Sequence, residues 1–165
     1  MRTRILLVFC ILAFFLPSNA QVMSPAESKA FVQNLRKSLR QWKQQVDSVK
    51  IDELEVNYEL GKRIEKAQGL FDETVSLAQR NLDLITTHGS LGDSIMLEGG
   101  LTGLESNLDL FEELLLESQH QKALVWLTTN RDLSATIEHV ELRYLLHLSA
   151  LADSVQEKAV ACGKK

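Results

Sequence analysis

The sequence has no proline after Pro25. An internal proline costs a helix about 3 kcal/mol, so its absence permits long helices throughout the rest of the chain. Cysteine is almost missing, with only Cys10 and Cys162 present. That excludes an internal framework of several disulfides, and the lack of Cys-x-x-Cys-His excludes covalent c-type haem attachment. Aromatics make up only 6 % of the chain, while alanine, leucine, glutamate, glutamine, lysine and arginine dominate. No run of strand-like alternation bounded by turns occurs. Gly-x-Ser-x-Gly is absent as well, and no serine stands in a nucleophile motif. Positive charge is in deficit. Setting aside Arg2 and Arg4 of the leader leaves 16 basic against 22 acidic residues, a net of −6. A general nucleic-acid binder is disfavoured, because phosphate attraction dominates that affinity.

The N-terminus reads as a secretory leader. Met1-Arg2-Thr3-Arg4 is a short basic head, Ile5–Leu16 is an apolar core, and Pro17-Ser18-Asn19-Ala20 ends in small residues. Cleavage after Ala20 is expected, giving a leader of residues 1–20 and a mature chain of residues 21–165. The apolar core is shorter than the ~20 residues an ordinary spanning helix needs. Retained, it would hold the chain at a membrane. The mature chain suffices for one domain with a real core. The expected location is secreted or periplasmic, and the poverty in cysteine suggests a bacterial source.

The rest follows helical periodicity. Ser24-Pro25-Ala26-Glu27 has the form of a capping box with proline at the first helical position. Phe31, Leu35, Leu39, Trp42, Val46 and Val49 then recur at steps of three and four, predicting a helix to about Lys50. Asp52-Glu53-Leu54-Glu55 resembles a second capping box, so residues 24–88 form either one bent helix or two. Leu54, Tyr58, Gly61, Ile64, Phe71, Val75, Ala78, Leu82 and Ile85 continue the rhythm to His88-Gly89. Leu104, Leu108, Phe111 and Leu115 restart it in a helix expected to reach Leu127, with Leu110, Leu114 and Leu116 widening its face. Leu133, Ile137, Val140, Tyr144, Leu148, Leu151 and Val155 form a last stripe before a frayed tail at 161–165. These stripes predict an all-α fold, an antiparallel bundle of about four helices.

Five of the eight glycines lie between His88 and Gly103. The stretch lacks the lysine of a phosphate loop and no strand precedes it. It reads as a packed connection over 89–103 with mobile glycine ends.

Candidate chemistry is sparse. Glu117-Ser118-Gln119-His120 is a single Glu-x-x-His element, where a di-iron bundle needs two. His139 and His147 lie eight residues apart and do not readily share one metal; either, with Met23 or Met96, is a candidate axial haem ligand. No cofactor, metal or catalytic residue is assigned, and the protein is expected not to be an enzyme. Charge is more informative. Residues 24–51 are basic and residues 104–121 acidic, so the first and third helical segments could lie side by side. The sharper reading exposes Lys29, Arg36, Arg40, Trp42 and Lys43 as an interaction surface for an acidic partner or an anionic membrane. The expected function is protein–protein interaction through helical surfaces, of a structural, chaperone-like or secretion-apparatus kind. The alternatives are a haem- or metal-binding bundle and a membrane-surface binder. Cys162 could link a homodimer.

Overall fold

The computed structural model describes residues 23–88 and 91–162. The leader, its cleavage site and Cys10 lie outside the described residues, as does the side chain of Cys162. The chain is an all-α helical bundle. Its helices are α1 (Pro25–Asp47), a 3₁₀ turn (Ile51–Leu54), α2 (Tyr58–His88), α3 (Leu91–Ser118), the short α4 (Gln121–Thr129) and α5 (Leu133–Cys162). One compact unit is Ser24–Leu145. Met23 and the part of α5 from Leu146 onward belong to a second, so the boundary falls within α5.

α1 begins as its sequence dictates. Ser24 Oγ accepts from the Glu27 N–H at 3.3 Å, and Glu27 Oε2 accepts from the Ser24 N–H at 2.8 Å. Two orphan donors of the first turn are thereby satisfied. α1 stops at Asp47, and residues 24–88 form two helices. The segment Asp52-Glu53-Leu54-Glu55 does not supply the cap of α2. Its first three residues belong to the 3₁₀ turn, and Glu55 follows them in the left-handed region at φ 50°. The cap of α2 is Asn57, whose Oδ1 accepts from the Leu60 N–H at 2.9 Å. Asparagine tolerates this role, and the turn before it reverses the chain.

The predicted glycine connection over 89–103 is mostly helix. Gly92, Gly99, Gly100 and Gly103 lie within α3, leaving residues 89–90 between the helices. Packing explains two of them. A methyl group on Gly100 would sit 3.5 Å from the Ala78 Cα, and one on Gly103 would sit 3.1 Å from the Thr74 Cγ2. These glycines let α3 lie close against α2, backbone against small side chain. Gly99 faces open space.

The helix expected to reach Leu127 ends at Ser118. Gln119 is left-handed at φ 49°, and the His120 Nδ1 accepts from the Lys122 N–H at 3.2 Å to start α4. α4 turns Trp126 inward. Its ring meets Phe111 edge-on at 5.4 Å, and its indole N–H donates to the Gln45 carbonyl at 2.9 Å. That bond fastens α4 to the last turn of α1.

Within Ser24–Leu145 the four long helices α1, α2, α3 and α5 run alternately up and down. Arg36 meets Asp83 while Lys43 meets Asp72, so α1 and α2 are antiparallel. Asn81 donates to the Met96 carbonyl and Arg63 pairs with Glu117, so α2 and α3 are antiparallel as well. Thr102 meets Glu141 and Ser134 meets Asp109, which reverses α5 against α3. Phe31 stacks on Tyr144 with ring centroids 5.6 Å apart, closing α5 onto α1. The core is built of Leu39, Val46, Ile64, Phe71, Val75, Leu82, Leu97, Leu101, Leu104, Leu108, Phe111, Leu115 and Ile137, all without solvent exposure. Tyr58, predicted to join the stripe, is exposed: it occupies the first position of α2, with the Lys62 ammonium 6.0 Å from its ring centre.

Candidate functional site

The basic residues of α1 do not form one free surface. Trp42 is buried in the core, at 3 % exposure, because it continues the stripe through Leu35 and Leu39. Arg36 pairs with Asp83 at 2.5 Å and Lys43 with both Asp47 and Asp72. Burial alone would lower the Lys43 pKa, but its hydrogen bonds to those two carboxylates outweigh this and raise it. Arg40 turns back, its Nε donating to the Arg36 carbonyl at 3.2 Å. Lys29 stays exposed. The basic helix therefore answers two aspartates of α2. Of the acids of α3, Glu117 pairs with Arg63 of α2.

The Glu-x-x-His element is dismantled by the fold. Glu117 stands on α3 and pairs with Arg63 at 2.8 Å, whereas His120 caps α4 beyond the left-handed Gln119. They share no helical face. His139 is exposed beside a cleft of about 170 Å³ that Phe31, Asn34 and Arg143 also line. Met96 is exposed on α3. In the second unit, His147 Nδ1 accepts the Met23 backbone N–H at 3.2 Å, so Met23 meets this ring through its main chain. Burial lowers the His147 pKa. Among the described residues no group of three or more metal-ligating side chains is gathered.

Two features were not anticipated from the sequence. The first is a carboxyl pair between α3 and α5. Glu141 is buried at 8 % exposure and faces Glu105, and the Thr102 hydroxyl donates to Glu141 Oε1 at 2.5 Å. Desolvation, then the hydrogen bond and charge of Glu141, then Asp109 and Glu138, push the Glu105 carboxyl up to about 7. A carboxyl facing other acids in a partly dry site ionises at a cost, so Glu105 holds its proton to higher pH than an isolated carboxyl does. Among the described residues neither carboxylate has an ion-pair partner.

The second feature is an apolar strip on the flank of α2. Leu70, Leu77 and Leu84 recur every seven residues; Leu77 is 40 % and Leu84 37 % exposed, and Leu70 is half-buried. The bonds from Asn81 to the Met96 carbonyl and from Asn107 to Thr74 bring α3 against this flank. Exposed Met96 and Leu110 thus form its neighbouring rim, with Gly99 between them. Single exposed leucines need no explanation; these three differ in lying in one row at a constant seven-residue step.

No protein-family description, curated protein or solved structure matches the chain. Among the described residues no helix is long and apolar enough to cross a membrane.

Proposed function

We propose that this chain is an exported, non-enzymatic helical protein that acts by binding another protein along the flank of α2. The strip Leu70–Leu77–Leu84, with Met96 and Leu110 beside it, carries the reading. A seven-residue recurrence of leucine is the spacing that an incoming helix packs against, knobs into holes. The leader of residues 1–20 supports export, and a mass beginning at Gln21 in protein recovered from the envelope or medium is the expected observation. The binding test compares crosslinked partners of the wild type with those of the Leu77→Glu, Leu84→Glu double variant. Partners lost from the double variant, with its helicity intact, are the expected result. An unchanged partner set refutes the reading.

A further inference from the structure

The exposed strip on α2 is self-complementary. Between its leucines stand Glu73 and Arg80, both exposed and neither in an ion pair among the described residues. They are seven residues apart, about 10 Å along the axis, too far to meet each other in one copy. A second α2 laid antiparallel with Leu77 on the two-fold axis brings Leu70 level with the second copy's Leu84. Glu73 then lies within one residue of level with the second copy's Arg80. Both pairings occur twice, as a two-fold interface requires. Seven-residue spacing drifts by only ~20° per repeat, which a left-handed supercoil takes up. The strip from Leu70 to Leu84 is about 21 Å long. Met96 and Leu110 on the neighbouring rim extend its apolar area.

We infer that the occupant of this flank is a second copy of the same chain, bound antiparallel through Leu70, Leu77 and Leu84 with two reciprocal Glu73–Arg80 ion pairs. The assignment rests on the interaction reading above and names its partner. The strip carries one acid and one base in mirror order, so a copy of itself satisfies both charges. A purely acidic or purely basic partner leaves one opposed.

The test is the mass of the full-length chain, as recovered from the expressing cell, by light scattering and sedimentation from about 1 to 200 µM. Reductant is present throughout, so Cys162 contributes no covalent link. A reversible monomer–dimer equilibrium is expected. Leu77→Glu should abolish it while circular dichroism stays helical. Glu73→Arg and Arg80→Glu should each weaken it about tenfold, and the two together should restore it. Monomer at every concentration overturns the inference. So does a dimer indifferent to Leu77→Glu, or single-variant losses that the double variant does not repair. If the chain stays monomeric while Leu77→Glu, Leu84→Glu still loses a crosslinked heterologous partner, the interaction reading stands and the second-copy assignment falls.

Discussion

Four helical glycines on α2 and α3 make a graded test of how this bundle is packed. Glycine inside a helix costs about 1 kcal/mol relative to alanine, mainly through backbone entropy. Gly69 and Gly99 are exposed, and a methyl group at either would meet nothing within 4 Å. Gly69→Ala and Gly99→Ala should each stabilise by about 0.5–1 kcal/mol, raising Tm by roughly 1–4 °C. The sites lie on different helices and share no partner, so the double variant should be additive. At Gly100 the new methyl makes ordinary contact with Ala78 at 3.5 Å, and a similar gain is expected. Gly103 differs. Its methyl would come within 3.1 Å of Thr74 Cγ2, and Thr74 is pinned. The Thr74 hydroxyl donates to the Leu70 carbonyl at 2.8 Å and accepts from Asn107 Nδ2 at 2.8 Å. Overpacking against a fixed side chain costs about 1–3 kcal/mol, which offsets or exceeds the propensity gain. Gly103→Ala should therefore be neutral to destabilising by about 2 kcal/mol. Urea titrations followed by far-ultraviolet circular dichroism give the four values. Equal stabilisation by Gly99→Ala and Gly103→Ala would refute the close approach of α2 and α3.

The raised carboxyl of Glu105 makes stability fall as pH rises. The folded carboxyl titrates near 7 and the unfolded one near 4.5, so the folded state binds more proton between those values. The contribution is full below about 4.5 and is lost by pH 8, on the order of 2 kcal/mol after screening by water at the half-buried Glu105. Glu105→Gln keeps a donor toward Glu141, and should flatten the decline measured in urea at pH 5 and pH 8; an unaltered slope would sink the assignment. Trp126→Phe removes the indole N–H bond to the Gln45 carbonyl and should cost about 1–2 kcal/mol, with faster amide exchange at the last turn of α1 as its local signature. Lys43→Met strips Asp72 of its ammonium, while Asp72 Oδ1 is already buried without a hydrogen-bond partner. A loss of about 1–2 kcal/mol is expected, and an effect near zero would mean that the pair is solvated as surface pairs are.

The helical stripes were legible because burial imposes a period that side chains must obey. Phe31, Leu35, Leu39, Trp42, Val46 and Val49 were read as one face and are all buried. The same rule should have kept Trp42 off the interaction surface, since a residue cannot serve both the core and an exposed basic face. Reading glycine as a chain breaker misplaced the start of α3. Local propensity disfavours Gly100 and Gly103 in a helix, but tertiary contact with Ala78 and Thr74 overrides it, and that contact is invisible in one chain's local pattern. The Glu105–Glu141 pair was hidden for a related reason. The two lie 36 residues apart, and only the antiparallel docking of α5 on α3 brings them together. Basic α1 was matched to acidic α3 by net charge, yet adjacency in the bundle gave it Asp72 and Asp83 of α2 instead. Charge totals say which segments attract; connectivity decides which are neighbours.

The bond from α4 back to α1 also sets what light can report about this molecule. The chain has two tryptophans, Trp42 and Trp126. Trp126 donates to the Gln45 carbonyl, one turn beyond Trp42, so both indoles sample the end of the bundle where α1 stops and α4 crosses it. Intrinsic fluorescence is thus a local gauge here. It will follow release of α4 from α1 while remaining nearly blind to loosening at the stacked Phe31 and Tyr144, which stand toward the other end of α1. A melt in which the fluorescence and amide signals separate would resolve the order in which the two ends come apart, with no label added.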